Sequence, residues 1–180
     1  MPDRCVILMG PRACGKSTVA NELARRLADW KAIDIDYDFH LKFKRTIDKD
    51  PASADGRFYY EGCREVLVDA LNEEGNRIIA LNGGALANDV VPDVCWANIR
   101  DCREKGELAL LLPSRWHFVN RRILFSREHK RNYVLTREHM DKLYKRRMAV
   151  LKRLATCTVY GSDVHKVGAT LIRKFQMEQK

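Results

Sequence analysis

The sequence has no apolar run approaching the ~20 residues that a helix needs to cross a bilayer, so no membrane span is expected. Met1-Pro2-Asp3-Arg4 leads straight into an apolar segment and leaves no room for a signal peptide. The six cysteines (5, 14, 63, 95, 102 and 157) include no C-x-x-C pair. Reduced thiols in a cytoplasmic protein are therefore expected. The five histidines (40, 117, 129, 139 and 165) lack metal-ligand spacing, which argues against a protein-bound transition metal. There is no internal repeat, linker or low-complexity tract, and the 180 residues are read as one domain, 1–180.

What is present begins with Gly10-Pro11-Arg12-Ala13-Cys14-Gly15-Lys16-Ser17-Thr18, which satisfies the phosphate-loop pattern G-x-x-x-x-G-K-[ST] at every fixed position. The apolar run Cys5-Val6-Ile7-Leu8-Met9 precedes it and an amphipathic segment from Val19 follows, giving strand, loop and helix. The glycines let successive backbone N–H groups turn toward phosphate oxygens. A helix opening at Lys16 adds its unpaired N–H groups and the positive end of its dipole. Lys16 can reach the β- and γ-phosphates, and the Ser17 hydroxyl can ligate Mg²⁺. The nine residues Gly10 to Thr18 are thus the expected ATP site. Cys14 fits as a small filler of the loop, although a thiol near a helix N-terminus also tends toward a lowered pKa.

A second strand is predicted over Lys31–Asp36, with Asp34 and Asp36 on one side of it by the two-residue repeat. A helix over about 37–47 and a loop follow, then helices over 57–73 and 88–105 around a buried strand at Arg77–Leu81. Asn82-Gly83-Gly84 ends that strand on a glycine pair suited to close approach of a ligand. Leu108–Leu112 is a further strand, and Ser114 is the expected N-cap of a helix over 115–126. The cation-rich stretch 126–137 is expected to form a basic lid. A long helix over 137–154, a strand at Thr156–Tyr160 and a helix over 163–177 complete the chain. Alternating strands and helices specify an α/β fold, a parallel sheet between helical layers.

The net charge of +9 is uneven: from Pro113 onward there are 17 Lys+Arg against 5 Asp+Glu, and before it 16 against 19. Such a basic third suits either a nucleic acid or a cluster of cations around a nucleotide and an acidic acceptor. It lacks an aromatic-interleaved surface motif, which disfavours nucleic acid. No N-K-x-D element is present, which removes the G-protein switch, and the chain is too short for a motor. Phosphoryl transfer fits what is left. Asp36 can accept the proton of an attacking hydroxyl, Asp34 can hold Mg²⁺, and lid cations can stabilise transition-state charge.

In this succession of motifs the chain resembles the shikimate kinases, small-metabolite P-loop kinases in which the loop is followed by D-x-D, F-R-x-x-E, G-G-G, a basic lid and a late arginine. The resemblance implies five parallel strands in the order 2-3-1-4-5, a monomer, and ATP- and Mg²⁺-dependent transfer to the 3-hydroxyl of shikimate in aromatic amino acid biosynthesis. It assigns Lys16, Asp36 and Arg131 to catalysis, with Arg127 as the alternative lid arginine. Ser17 and Asp34 go to Mg²⁺. Asp36, Gly83, Gly84 and Arg147 go to the acceptor, expected to be a carboxylate-bearing alcohol. Four positions depart from the pattern. Tyr59-Tyr60 stands for Phe-Arg, Cys63 for Glu, and Asn82 for the first glycine. Tyr60 therefore occupies the place of an acceptor-binding arginine, for which Arg57, Arg64 and Arg146 are candidate replacements. A different small acceptor, such as a sugar acid or nucleoside, and a non-catalytic nucleotide-binding module are the alternative readings.

Overall fold

Every residue of Cys5–Met9 is buried. Side chains of a strand alternate between faces, so burial without alternation requires cover on both sides. This segment, β1, accordingly lies at the centre of a five-stranded parallel sheet, with order β2-β3-β1-β4-β5. The other strands are β2 (Trp30–Asp34), β3 (Asn76–Ala80), β4 (Glu107–Leu112) and β5 (Cys157–Tyr160). Leu8 is level with Ala80 on one side and Ala109 on the other, so β3 and β4 flank β1 up to the start of the phosphate loop. The computed structural model describes residues 3–44, 55–130 and 136–177. Its helices are α1 (Lys16–Arg26), α2 (Ile35–Phe43), α3 (Asp55–Asn72), α4 (Pro92–Lys105), α5 (His117–His129), α6 (Arg137–Leu154) and α7 (Val164–Phe175). Layers and strand order are those expected.

The helices turn apolar stripes to the sheet. Val19, Ala20 and Leu23 are the buried face of α1, which packs beside α7 with its Val167, Leu171, Ile172 and Phe175. Each fully buried Leu or Ile here contributes about 2 kcal/mol. The end of α7 is also tied to the other side of the chain. Arg4 donates to the carbonyls of Phe175 and Gln176, and the Trp30 indole N–H donates to the Met177 carbonyl at 3.1 Å. On another side α3 packs between α2 and α4.

Several boundaries differ from expectation, each for a local reason. The segment read as a strand to Asp36 stops at Asp34, whose carboxylate caps α2 by accepting from the N–H groups of Asp36 (3.0 Å) and Tyr37 (3.3 Å). Ile35 and Phe39, four residues apart, are then both buried on one helix face. Ser114 does not cap α5. Trp116 holds that position without a side-chain bond, and the Ser114 hydroxyl accepts from the Trp116 N–H in a tight turn. Helix α4 begins at Pro92, where proline needs no hydrogen-bond donor, and α5 runs on to His129.

Candidate active site

The phosphate loop leaves β1 at Gly10, where a Cβ would lie 2.7 Å from the Leu111 carbonyl oxygen and 2.8 Å from the Cys14 sulfur. Only glycine allows β4 and the loop to pass so closely. Gly15 caps α1 at φ 101, a left-handed conformation that points the first N–H groups of the helix outward. Lys16 folds back over the loop, its ammonium donating to the carbonyls of Gly10 (3.2 Å) and Pro11 (3.4 Å). Arg12, Ala13 and Gly15 to Thr18 line an open cleft of about 800 Å³. Cys14 is buried and lines a second cleft on the far side of the loop, together with Arg127, Lys130, Gly161 and Ser162. Pro11 is also buried, so neither it nor Gly10 faces the first cleft.

Across that cleft stand most of the other predicted residues: Asp36, Tyr60, Gly83, Gly84 and Arg147. Asp36 is exposed in the first turn of α2, not on a strand beside Asp34 as expected. Asp34 does not line the cleft, and one of its oxygens is committed to the cap. Three lining residues were not expected: Tyr59, Asn82 and Leu143. The Tyr59 hydroxyl donates to Asp36 Oδ1, and Asn82 Nδ2 donates to the Tyr59 hydroxyl at 3.4 Å. Burial, and then the nearby Asp36 carboxylate, push the Tyr59 hydroxyl well above the ordinary tyrosine range.

The acceptor end of the cleft has an unusual inventory of cations. Arg147 on α6 is 7% exposed, its Nε has no partner among the described residues, and burial lowers its pKa. Beside it the Tyr60 ring presses on Gly84, where a Cβ would come within 2.6 Å of the hydroxyl oxygen. Arg12 crosses the neighbouring glycine: a Cβ on Gly83 would meet Arg12 Cγ at 2.9 Å and Arg147 Nη1 at 3.5 Å. Two guanidinium-bearing side chains thus converge on one turn. The candidate replacements for the missing arginine are engaged elsewhere. Arg57 pairs with Glu61 and Asp93, Arg64 with Asp101, and Arg146 with Asp89.

Helix α5 grips the loop from above. Arg127 Nη1 donates to the Ala13 carbonyl at 3.2 Å, and Arg12 Nε donates to the buried Glu128 carboxylate at 2.9 Å. The first residues assigned to the lid are therefore helical and in contact with the loop. Arg131 lies outside the described residues. Among the described residues no group of three or more His, Cys, Asp or Glu is placed to hold a metal ion, and no helix is long and apolar enough to cross a membrane.

A phosphate loop at the head of a central strand, facing a carboxylate and a buried arginine across a cleft, defines a small-molecule kinase of the P-loop class. The chain belongs to the shikimate kinase family, whose sequence model matches residues 12–175. Shikimate kinase from Acinetobacter baumannii, solved in complex with shikimate, superimposes with a TM-score of 0.75 at 18% identity, covering 99% of this chain and 96% of that one. The enzyme from Bacteroides thetaiotaomicron gives 0.75 at 18%, covering 96% and 98%. The fold is shared more widely: the Deinococcus radiodurans tunicamycin resistance protein aligns with a TM-score of 0.63 at 10% identity over 98% of both chains. No curated protein matches by sequence.

Proposed function

We propose that the protein transfers the γ-phosphoryl group of ATP to a hydroxyl of a small carboxylate-bearing alcohol, with shikimate as the acceptor and its 3-hydroxyl as the attacking group. The observation that carries this reading is that Asp36 and the buried Arg147 line the same cleft as Lys16. A carboxylate suited to deprotonating a hydroxyl and a guanidinium suited to holding a carboxylate thereby address one bound molecule. Asp36 takes the proton as the acceptor oxygen bonds to phosphorus, and the bond to the bridging oxygen of ADP breaks. Lys16 and the N–H groups at the start of α1 hold the charge that develops on the phosphates. Arg127, already on the loop, or Arg131 adds a further cation.

The loss of one charge-assisted contact at Tyr60 would weaken a carboxylate by about 2–3 kcal/mol. Arg12, which passes over Gly83 beside Arg147, offsets it in this reading by sharing its charge between Glu128 and the acceptor carboxylate. The second cleft, bounded by Arg127, Gly161 and Ser162, takes the nucleoside part of ATP. Mg²⁺ would be held by the Ser17 hydroxyl, which lines the cleft, with phosphate oxygens and water completing its shell; Asp34, which does not line it, would act through one of those waters. When bound, the ion neutralises phosphate charge. The same reading makes residues 1–180 one kinase domain, acting as a cytoplasmic monomer in aromatic amino acid biosynthesis.

The test is coupled ADP release with shikimate, a panel of sugar acids, nucleosides, and no acceptor, at varied Mg²⁺, with ³¹P NMR of the product. Mg²⁺-dependent formation of shikimate 3-phosphate is expected. Stimulation by a different acceptor would overturn the choice of shikimate. No stimulation by any acceptor, with ATP still bound, would overturn the kinase reading.

A further inference from the structure

We infer that Tyr59 and Asn82 form a positioning relay that fixes the Asp36 carboxylate for the acceptor hydroxyl. The inference rests on the role proposed for Asp36 above. It joins two of the places where the chain departs from the shikimate kinase pattern: tyrosine for phenylalanine at 59, and asparagine for the first glycine of the turn at 82.

The two substitutions touch. Asn82, just past the end of β3, donates Nδ2 to the Tyr59 hydroxyl at 3.4 Å, and that hydroxyl donates to Asp36 Oδ1. A phenol has one proton, and here it is committed to the carboxylate, so its oxygen must accept from Asn82. The relay has a single direction, and it ends on one oxygen of Asp36. The other oxygen is left to take the proton of the acceptor.

Rigid packing gives the relay its geometry. The Tyr59 ring stands edge-on to Phe39, with centroids 5.1 Å apart at 81°, and edge-on to Tyr60 at 5.0 Å and 65°. Asp36 itself is exposed on the first turn of a helix. A short carboxylate in that setting turns freely between rotamers unless another group holds it. A phenylalanine at 59 would keep the ring packing and supply no hydrogen bond. Asn82 adds a second sign. It is 5% exposed and its Oδ1 is buried without a partner among the described residues. Burying half an amide unsatisfied is unfavourable. Among the described residues its side chain bonds to Tyr59 alone, and that bond orients the phenol.

The test is a double-mutant cycle on the full chain with ATP and shikimate as substrates. Tyr59→Phe is expected to lower kcat about tenfold while changing neither KM by more than about twofold. In the residual turnover of Asp36→Asn, the same substitution is expected to change nothing. Asn82→Ala is expected to lose about threefold on its own and nothing further when combined with Tyr59→Phe. Unchanged kcat in Tyr59→Phe, or an equal loss with and without Asp36, would overturn the relay. If the unmodified chain does not phosphorylate shikimate, the functional reading fails, and the relay is then read from the ¹³C resonance of the Asp36 carboxyl. A shift of that resonance in Tyr59→Phe supports the relay; an unmoved one overturns it.

Discussion

Arg147→Met separates a ligand-binding arginine from a structural one by moving affinity and stability in opposite directions. The side chain is buried, its Nε has no partner among the described residues, and its near neighbours include the neutral Tyr60 hydroxyl and the like charge of Arg12. An acceptor carboxylate over Gly83 would supply the missing charge-assisted bond, worth about 1.5–3 kcal/mol. Removing the guanidinium should raise the KM for shikimate about 10- to 150-fold and leave that for ATP within about twofold. Without the acceptor the balance reverses. Methionine is close to arginine's buried stem in shape, strands no opposite charge, and relieves repulsion with Arg12. Tm should therefore hold or rise by a few degrees. Steady-state kinetics with each substrate varied in turn, and a thermal melt without ligand, measure both quantities. A fall in Tm with an unchanged shikimate KM, or a parallel rise in both KM values, would refute the reasoning.

Gly84→Ala should lower Tm by several degrees, since its Cβ would meet the buried Tyr60 ring at 2.6–3.0 Å and overpacking costs about 1–3 kcal/mol; adding Tyr60→Leu should recover most of the loss in the same melt. Lys16→Met should reduce phosphoryl transfer at least about a hundredfold in the ADP-release assay, because the loop then loses the ammonium expected to neutralise charge on the β- and γ-phosphates. Glu22 is held at about 2 by its hydrogen bond from Arg25, with His165 and Arg26 adding to it. A folded pKa below the ordinary 4.5 gives stabilisation that is complete above 4.5 and lost as pH falls through about 2. The Tm difference between the unmodified chain and Glu22→Gln should accordingly be present at pH 6 and close toward pH 2 in melts across that range.

The strand, loop and helix around Lys16 were legible because three independent signals coincide there: an apolar run, two glycines at fixed spacing, and helical periodicity from Val19. The D-x-D segment was misread for a definite reason. Ile33 and Ile35 alternate with Asp34 and Asp36 as in a strand, yet Asp34 is an N-cap and Ile35 pairs with Phe39 on a helix. Local alternation outweighed a capping signal that was equally present. Tyr59 was visible only as a departure from a pattern, because a hydroxyl's partner 23 residues away cannot be read from spacing. Arg12 was assigned to ATP by its place in the loop. Its passage over Gly83 depends on how the turn after β3 sits beside the loop, which is set by sheet order. The arginines proposed as replacements at 57, 64 and 146 failed because each finds a carboxylate away from the cleft: Arg57 pairs with Glu61 one turn on and with Asp93, Arg64 with Asp101 across on α4, and Arg146 with Asp89.

The central place of β1 has a consequence for how the chain is made. Residues 5–9 leave the ribosome before either of their partner strands, one beginning at Asn76 and the other at Glu107. Until both have emerged, the most apolar strand of the protein has two unpaired edges and no sheet to join. Closing those long separations is slow compared with forming α1 alone. The nascent chain thus carries its phosphate loop through most of synthesis without the walls that shape it. Trp30 and Arg4 acquire their carbonyl partners only when Phe175, Gln176 and Met177 arrive. A nucleotide that binds only the assembled sheet would stabilise the fold after these strands have paired and would not serve as a template during synthesis.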